Sequence, residues 1–277
     1  MIFQRFFLLL IGLYTCFFST ILFSKPQRIV SLNLCADQLL MELLPPQRLV
    51  GVTNMARDPD ISFSYRKAKD YHAHSGRVEE IIALKPDLIV AGQFTSSASN
   101  QLLETLGYPV MKIGLPDNMA DVFTQIERVG REVNAMTAAK SLVTKLQQQL
   151  STVKLLKPAR SSVRAIVYYA NGYSAGQRTI VNEILNVAGF TNIAAEEGLI
   201  GVAPFSLERL IASKPDALIL GELTNNESSL AHRLLQHKAI KELLNVGQVE
   251  KILVPDRLWN CAGPSSIAAA DYLIKLP

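Results

Sequence analysis

The chain has 277 residues, about half of them hydrophobic, with 28 basic and 24 acidic side chains and a net charge of +4. That is enough apolar material for two lobes, each with a core. The weak positive balance, with no interleaving of aromatic and basic residues, argues against a nucleic-acid surface.

Residues 1–24 read as an export signal. Arg5 is the only charge before Lys25, and an apolar run from Phe6 to Phe23 follows it. Losing Arg5 takes the net charge from +4 to +3. An uncleaved anchor is the competing reading, because a run of this length can just span a bilayer. Cys16 lies in a poor context for a lipoprotein. Export leaves two cysteines, Cys35 and Cys261, with two readings open. They form a disulfide, which needs Cα atoms within about 7 Å, or they are two thiols facing a ligand from opposite lobes.

After the leader, RIVSL (28–32) is a short strand. Asn33 caps a helix that Pro45 and Pro46 stop, and RLVGVT (48–53) is the next strand. Strand, helix, strand implies a parallel sheet. Residues 54–76 are a polar loop long enough to suggest function. His72 and His74 within it could offer two metal ligands, but no third ligand lies near, and a solvated loop is the better reading. A helix at 79–84 and a strand at 87–91 follow, then a helix over 97–106, a strand over 109–113 and an amphipathic helix over 119–133. Residues 137–157 carry a narrow apolar stripe of Leu142, Leu146, Leu150 and Val153. The spacing predicts an unbroken helix about 30 Å long, enough to join two bodies. Beyond it, strands at 163–170, 217–220 and 251–254 alternate with helices at 179–187, 207–213, 229–244 and 265–276.

The chain says nearly the same thing twice. VEEIIALKPDLIVAG (78–92) and LERLIASKPDALILG (207–221) align without gaps, seven of fifteen positions being identical, at an offset of 207 − 78 = 129 residues. Two similar units flank one spacer, which points to two lobes of like construction. The predicted division is a signal at 1–24, an N-terminal lobe at 25–136, a bridging helix at 137–157 and a C-terminal lobe at 158–277.

In open parallel sheets, ligands gather beyond the carboxyl ends of the strands. That rule selects Asn33, Cys35 and Asp37, then Gln93, Phe94 and Thr95, from the first lobe. From the second it selects Tyr169, Tyr173, Ser174 and Phe205, then Trp259 and Cys261. These are aromatic platforms and neutral hydrogen-bonding groups, suited to holding a large, partly apolar molecule more than to transforming one. No catalytic residue and no metal site is expected. One catalytic pattern does occur: Gly172 to Gly176 matches G-x-S-x-G, with Asp216 and His232 or His237 in hydrolase order. An exported hydrolase using Ser174 is therefore the alternative, although its serine lies in a loose loop.

RIVSLNLCADQLL, RLVGVT, the paired KPD passages, the spacer helix and VPDRLW together resemble the periplasmic binding proteins of ABC importers for cobalamin and ferric siderophores. The resemblance covers nearly the whole mature chain, and Leu-Lys-Pro-Asp-Leu-Ile is its most specific piece. It implies an α/β fold of two Rossmann-like lobes bridged by one rigid helix, a periplasmic and monomeric protein without a cofactor, and a metal chelate held between the lobes. It also implies a partner, a permease dimer docked through one glutamate on each lobe; Glu79 and Glu208 fall on those positions. The aromatics suit a corrinoid, charged siderophores would call on Arg178 or Arg257, and the cysteines leave room for haem or another metal chelate.

Overall fold

The computed structural model describes residues 25–156, 162–170, 172–221, 237–246 and 249–276. The expected signal at 1–24 and His232 lie outside them. Among the described residues no helix is long and apolar enough to cross a membrane.

The first half of the chain alternates strand and helix: β1 (Ile29–Ser31), α1 (Leu34–Leu43), β2 (Leu49–Thr53), β3 (Ala73–His74), α2 (Val78–Ala83), β4 (Leu88–Gly92), α3 (Ser97–Thr105), β5 (Val110–Ile113) and α4 (Met119–Glu132). Its five strands are all parallel, in the order β3-β2-β1-β4-β5. Asn33 caps α1 by accepting from the Cys35 and Ala36 amides. Asn134, with φ of 50°, takes the left-handed turn that separates α4 from the next helix.

That helix, α5 (Met136–Leu155), buries Ala139, Leu142, Val143, Leu146 and Val153 along one stripe. The second half follows as β6 (Val163–Tyr169), β7 (Tyr173–Ala175), α6 (Ile180–Val187), β8 (Phe190–Asn192), α7 (Ile193–Glu196), β9 (Val202–Pro204), α8 (Leu207–Ala212), β10 (Ala217–Gly221), α9 (Lys238–Val246), β11 (Glu250–Val254) and α10 (Pro264–Ile274). Its sheet runs β11-β10-β6-β7-β9, with β8 also beside β6. β10 and β11 continue the parallel pattern, whereas β7 and β9 are antiparallel, an insertion the sequence pattern did not suggest.

The repeated KPD passage has a physical reading that is the same in both lobes. Lys85 and Lys214 each take a left-handed conformation, φ of 48° and 47°, that ends the preceding helix, and proline then prevents its resumption. The aspartate carboxylate accepts backbone N–H groups at the start of the central strand: Asp87 from Gln27 and Arg28 (2.7 and 2.9 Å), Asp216 from Arg164 (2.8 Å). The arginine so held turns its guanidinium back onto the free carbonyls of the helix end. Arg28 donates to Leu84 and Lys85, and Arg164 to Ser213 and Lys214. The glycine that closes each repeat is required by space. A Cβ at Gly92 would lie 2.6 Å from the Asn33 amide, and one at Gly221 would lie 2.3 Å from the Asp256 carboxylate.

One apolar core runs through both halves. It joins Leu40 and Val129 of the first, Leu142 and Leu146 of α5, and Val167, Ile184, Ile267 and Leu273 of the second. The helix α5 packs on α1, α4 and α10, so it is part of each lobe's wall as well as the link between them.

Candidate ligand seam

Four contacts show that the carboxyl ends of the two sheets face each other. Cys35, just past β1, is disulfide-bonded to Cys261, past β11, with their Cα atoms 5.2 Å apart. Asn260 donates through its side-chain nitrogen to the Ile61 carbonyl (3.3 Å), joining the loop after β2 to the same segment. Asp117, past β5, pairs with Arg178 at 2.9 Å, and beside it Glu183 accepts the Met119 N–H at the head of α4. The pairing of the cysteines corrects the alternative of two separate ligand-facing thiols.

Along this seam the residues expected at the site divide sharply. On the N-terminal side Gln93 and Phe94 are exposed, Phe94 to 77%, and Thr95 is half-buried with its hydroxyl bonded to the Gly92 amide. On the C-terminal side Tyr173 is 40% exposed at the start of β7, facing Tyr169 across the β6–β7 ladder. Tyr169 is half-buried, and burial, with the nearby Asp256 carboxylate adding to it, raises its phenol above the ordinary range. Asn33 is half-buried and holds the head of α1.

Other expected contacts point inward. Asp37 is fully buried and accepts the Thr53 amide and hydroxyl (3.1 and 2.5 Å). Burial pushes its carboxyl from 3.8 up to about 7, partly offset by hydrogen bonds from Ser31 and Thr53. It ties α1 to β2. Phe205 is wholly buried, with the Arg209 guanidinium 4.5 Å above its ring. Trp259 packs into the shared core, and Cys261 is buried against its partner sulfur. Ser174 is buried too, its hydroxyl donating to the Val167 carbonyl at 2.7 Å. A nucleophile must reach substrate, so the G-x-S-x-G reading fails on access.

The two histidines do not converge. His72 is exposed, whereas His74 is buried with Nε2 on the Ser31 carbonyl (2.9 Å) and Nδ1 accepting the Gly76 N–H (3.1 Å). Burial lowers the pKa of His74, consistent with a neutral ring whose two nitrogens are both engaged. No group of three or more metal-ligating side chains occurs among the described residues.

Two seam residues escaped the sequence reading. Met55, past β2, and Leu115, past β5, are exposed apolar side chains at strand carboxyl ends. The positional rule would have found both had it been applied to every strand. Of the two arginines considered for anionic ligands, Arg178 is committed to Asp117, and Arg257 lines a separate hollow with Tyr272 and Lys275.

Away from the seam, Glu79 and Glu208 occupy the same position, the second residue of α2 and of α8, and both are exposed. Bonds from its own backbone N–H and from Ser206 hold the Glu208 carboxyl below the usual range. In the other lobe Glu80, next to Glu79, has its carboxyl held at about 2, first by the Arg77 guanidinium.

A relative named cobalamin-binding protein from Halobacterium salinarum is 25% identical over 220 residues, covering 78% of this chain and 60% of the relative, so the chain spans less than two thirds of that protein. Among solved structures, the periplasmic heme-binding protein RhuT of Roseiflexus sp. RS-1 superposes with a TM-score of 0.72 at 22% identity, over 90% of this chain and 96% of that one. The periplasmic vitamin B12 binding protein BtuF of Vibrio cholerae gives 0.67 at 17% identity, over 90% and 96%. The two-lobed α/β architecture is thus the one these proteins share. Residues 29–246 match the family model described as periplasmic binding protein, and the chain belongs to that family.

Proposed function

We propose that this protein is the periplasmic substrate-binding component of an ABC importer, holding a flat metal chelate in the seam and passing it to a permease dimer. The observation that carries the reading is that exposed apolar and aromatic side chains follow strands of both lobes, Met55, Phe94 and Leu115 on one and Tyr173 on the other, with Arg178 already neutralised. Exposed rings on facing lobes offer stacking area, each pair worth about 0.5–1.5 kcal/mol beyond its buried area. A polyanionic siderophore would need cations that these seam residues do not supply. A corrinoid ring is the first choice. Haem is the second, favoured by the Tyr173 phenol, an oxygen donor that can ligate iron.

Glu79 and Glu208 are the docking acids in this reading. Their equivalence suits a two-fold symmetric partner, and their attraction to permease arginines should weaken with salt. The test is a thermal-shift series on the protein with cobalamin, haem and several ferric siderophores. A ligand at a hundredfold its Kd adds about 2.7 kcal/mol of stability. A response to cobalamin or haem alone supports the reading, and a response to charged siderophores alone overturns the choice of chelate.

A further inference from the structure

Three features meet at Cys35 and Cys261. The first is position. The chain already joins its lobes once through α5, and the disulfide adds a second covalent link at the seam itself, between cysteines 226 residues apart in sequence. The second is chemistry. Cys35 is the second residue of the ten-residue α1, where the helix dipole favours a thiolate. Cys35 is half-buried while Cys261 is buried, so Cys35 is the more accessible end of the bond. The third is an orphan donor. Gln38, one turn along α1 from Cys35, lines a crevice of about 20 Å³ together with both cysteines. Its side-chain nitrogen is buried and has no acceptor among the described residues. A buried donor left unpaired is costly, and a thiolate in the same crevice would give it a partner.

We propose that Cys35–Cys261 is a reversible thiol–disulfide exchange site for an exported dithiol reductant, and that reduction frees the lobes to rock about α5. A thiolate of the dithiol attacks Cys35 Sγ, the S–S bond breaks, and Cys261 leaves as a thiolate that takes up a proton. The second thiolate of the dithiol then attacks the mixed disulfide. Cys35 departs as a thiolate beside the head of α1, and the reductant becomes a disulfide. Two electrons pass to the protein. The polar contacts that remain across the seam are the Asp117–Arg178 pair, the Glu183–Met119 bond and the Asn260–Ile61 bond, beside the apolar core that joins the halves along α5. The solvent-exposed ion pair restrains little on its own. Gln38 is a positioning residue: it favours the reduced form by giving the thiolate a hydrogen bond.

The test uses the whole protein at pH 7 in buffers of reduced and oxidised dithiothreitol, with thiols counted by alkylation and mass spectrometry and the fold followed by circular dichroism. Both thiols should become alkylated while the fold stays native. Q38L should need a roughly tenfold more reducing buffer to reach half-reduction, the size expected of a hydrogen bond to a charged group. Dyes attached by click chemistry at exposed Gln101 and Lys241, one on each lobe, report the lobe separation. The oxidised protein should give a narrow distance distribution, and the reduced wild type and C35S/C261S a broad one. Alkylation only on unfolding, or identical distributions before and after reduction, overturns the proposal. An unchanged midpoint for Q38L overturns the part given to Gln38. Reduction of the folded wild type keeps the test informative if the double variant does not fold.

Discussion

In the N-terminal lobe a single strand, β2, lies parallel beside β1, whereas in the C-terminal lobe the matching edge of β6 is divided. There β8 pairs with residues 163–165, and the antiparallel β7 takes Tyr168 and Tyr169 at the carboxyl end. The other side of each central strand is alike: β4 and β5 in one lobe, β10 and β11 in the other, with the same lysine turn, aspartate cap and arginine clamp. The frame is shared and the rim is not. Equivalent acids on α2 and α8 are a property of the frame, while the open Phe94 and the buried Phe205 are properties of two different rims.

That contrast can be broken by mutation. Phe205→Ala should cost about 3–5 kcal/mol in urea unfolding, the usual loss for a core aromatic. Phe94→Ala should stay within about 0.5 kcal/mol of the parent and instead weaken chelate binding several-fold by titration calorimetry. Equal stability losses at the two sites would abolish the distinction between rims.

Asp37 belongs to the N-terminal lobe alone, and its effect depends on pH. Its folded pKa of about 7 lies above the unfolded value near 3.9, so the folded protein holds a proton that the unfolded chain releases. Its contribution is complete below about pH 4 and is lost as pH rises through 7. Asp37→Asn keeps an acceptor for the Thr53 amide and removes this titration. Relative to the parent, the variant should gain up to about 4 kcal/mol between pH 4 and pH 8. A difference that does not vary with pH would refute the assignment.

The arginine clamps sharpen the shared side of the comparison. Arg28→Ala and Arg164→Ala should each cost about 1–2 kcal/mol, because each uncovers helix-end carbonyls. A large loss at one and none at the other would show that the frames are not equivalent. Smallest in stability is Glu79→Ala with Glu208→Ala, within about 0.5 kcal/mol. Pull-down with the permease should nonetheless weaken about tenfold or more for the pair and comparably for each single change, and an unaffected association would remove them from the docking surface.

What could be read from the sequence was local. The helix-ending KPD passage, the cap at Asn33 and the stripe of α5 depend on residue types a few positions apart. The rim depends on which way a side chain points. Tyr173 and Ser174 are neighbours on β7, one outward and one inward, and that alternation is legible only once the strand is recognised. Asp37 is selected for the ligand by its place after β1, yet it sits on the inward face of α1 with Leu40 and Met41, three and four residues on, a helical spacing the positional rule does not weigh. The cysteine pairing spans 226 residues, and no short-range pattern could decide it.

The stripe on α5 makes the two halves dependent on each other. Leu146 belongs to the same apolar body as Val129 before it and Ile184 after it, so a defect there cannot be confined to one side. Heating should therefore give a single calorimetric transition in place of two. The halves produced as separate polypeptides should be insoluble alone and recoverable only when they are expressed together.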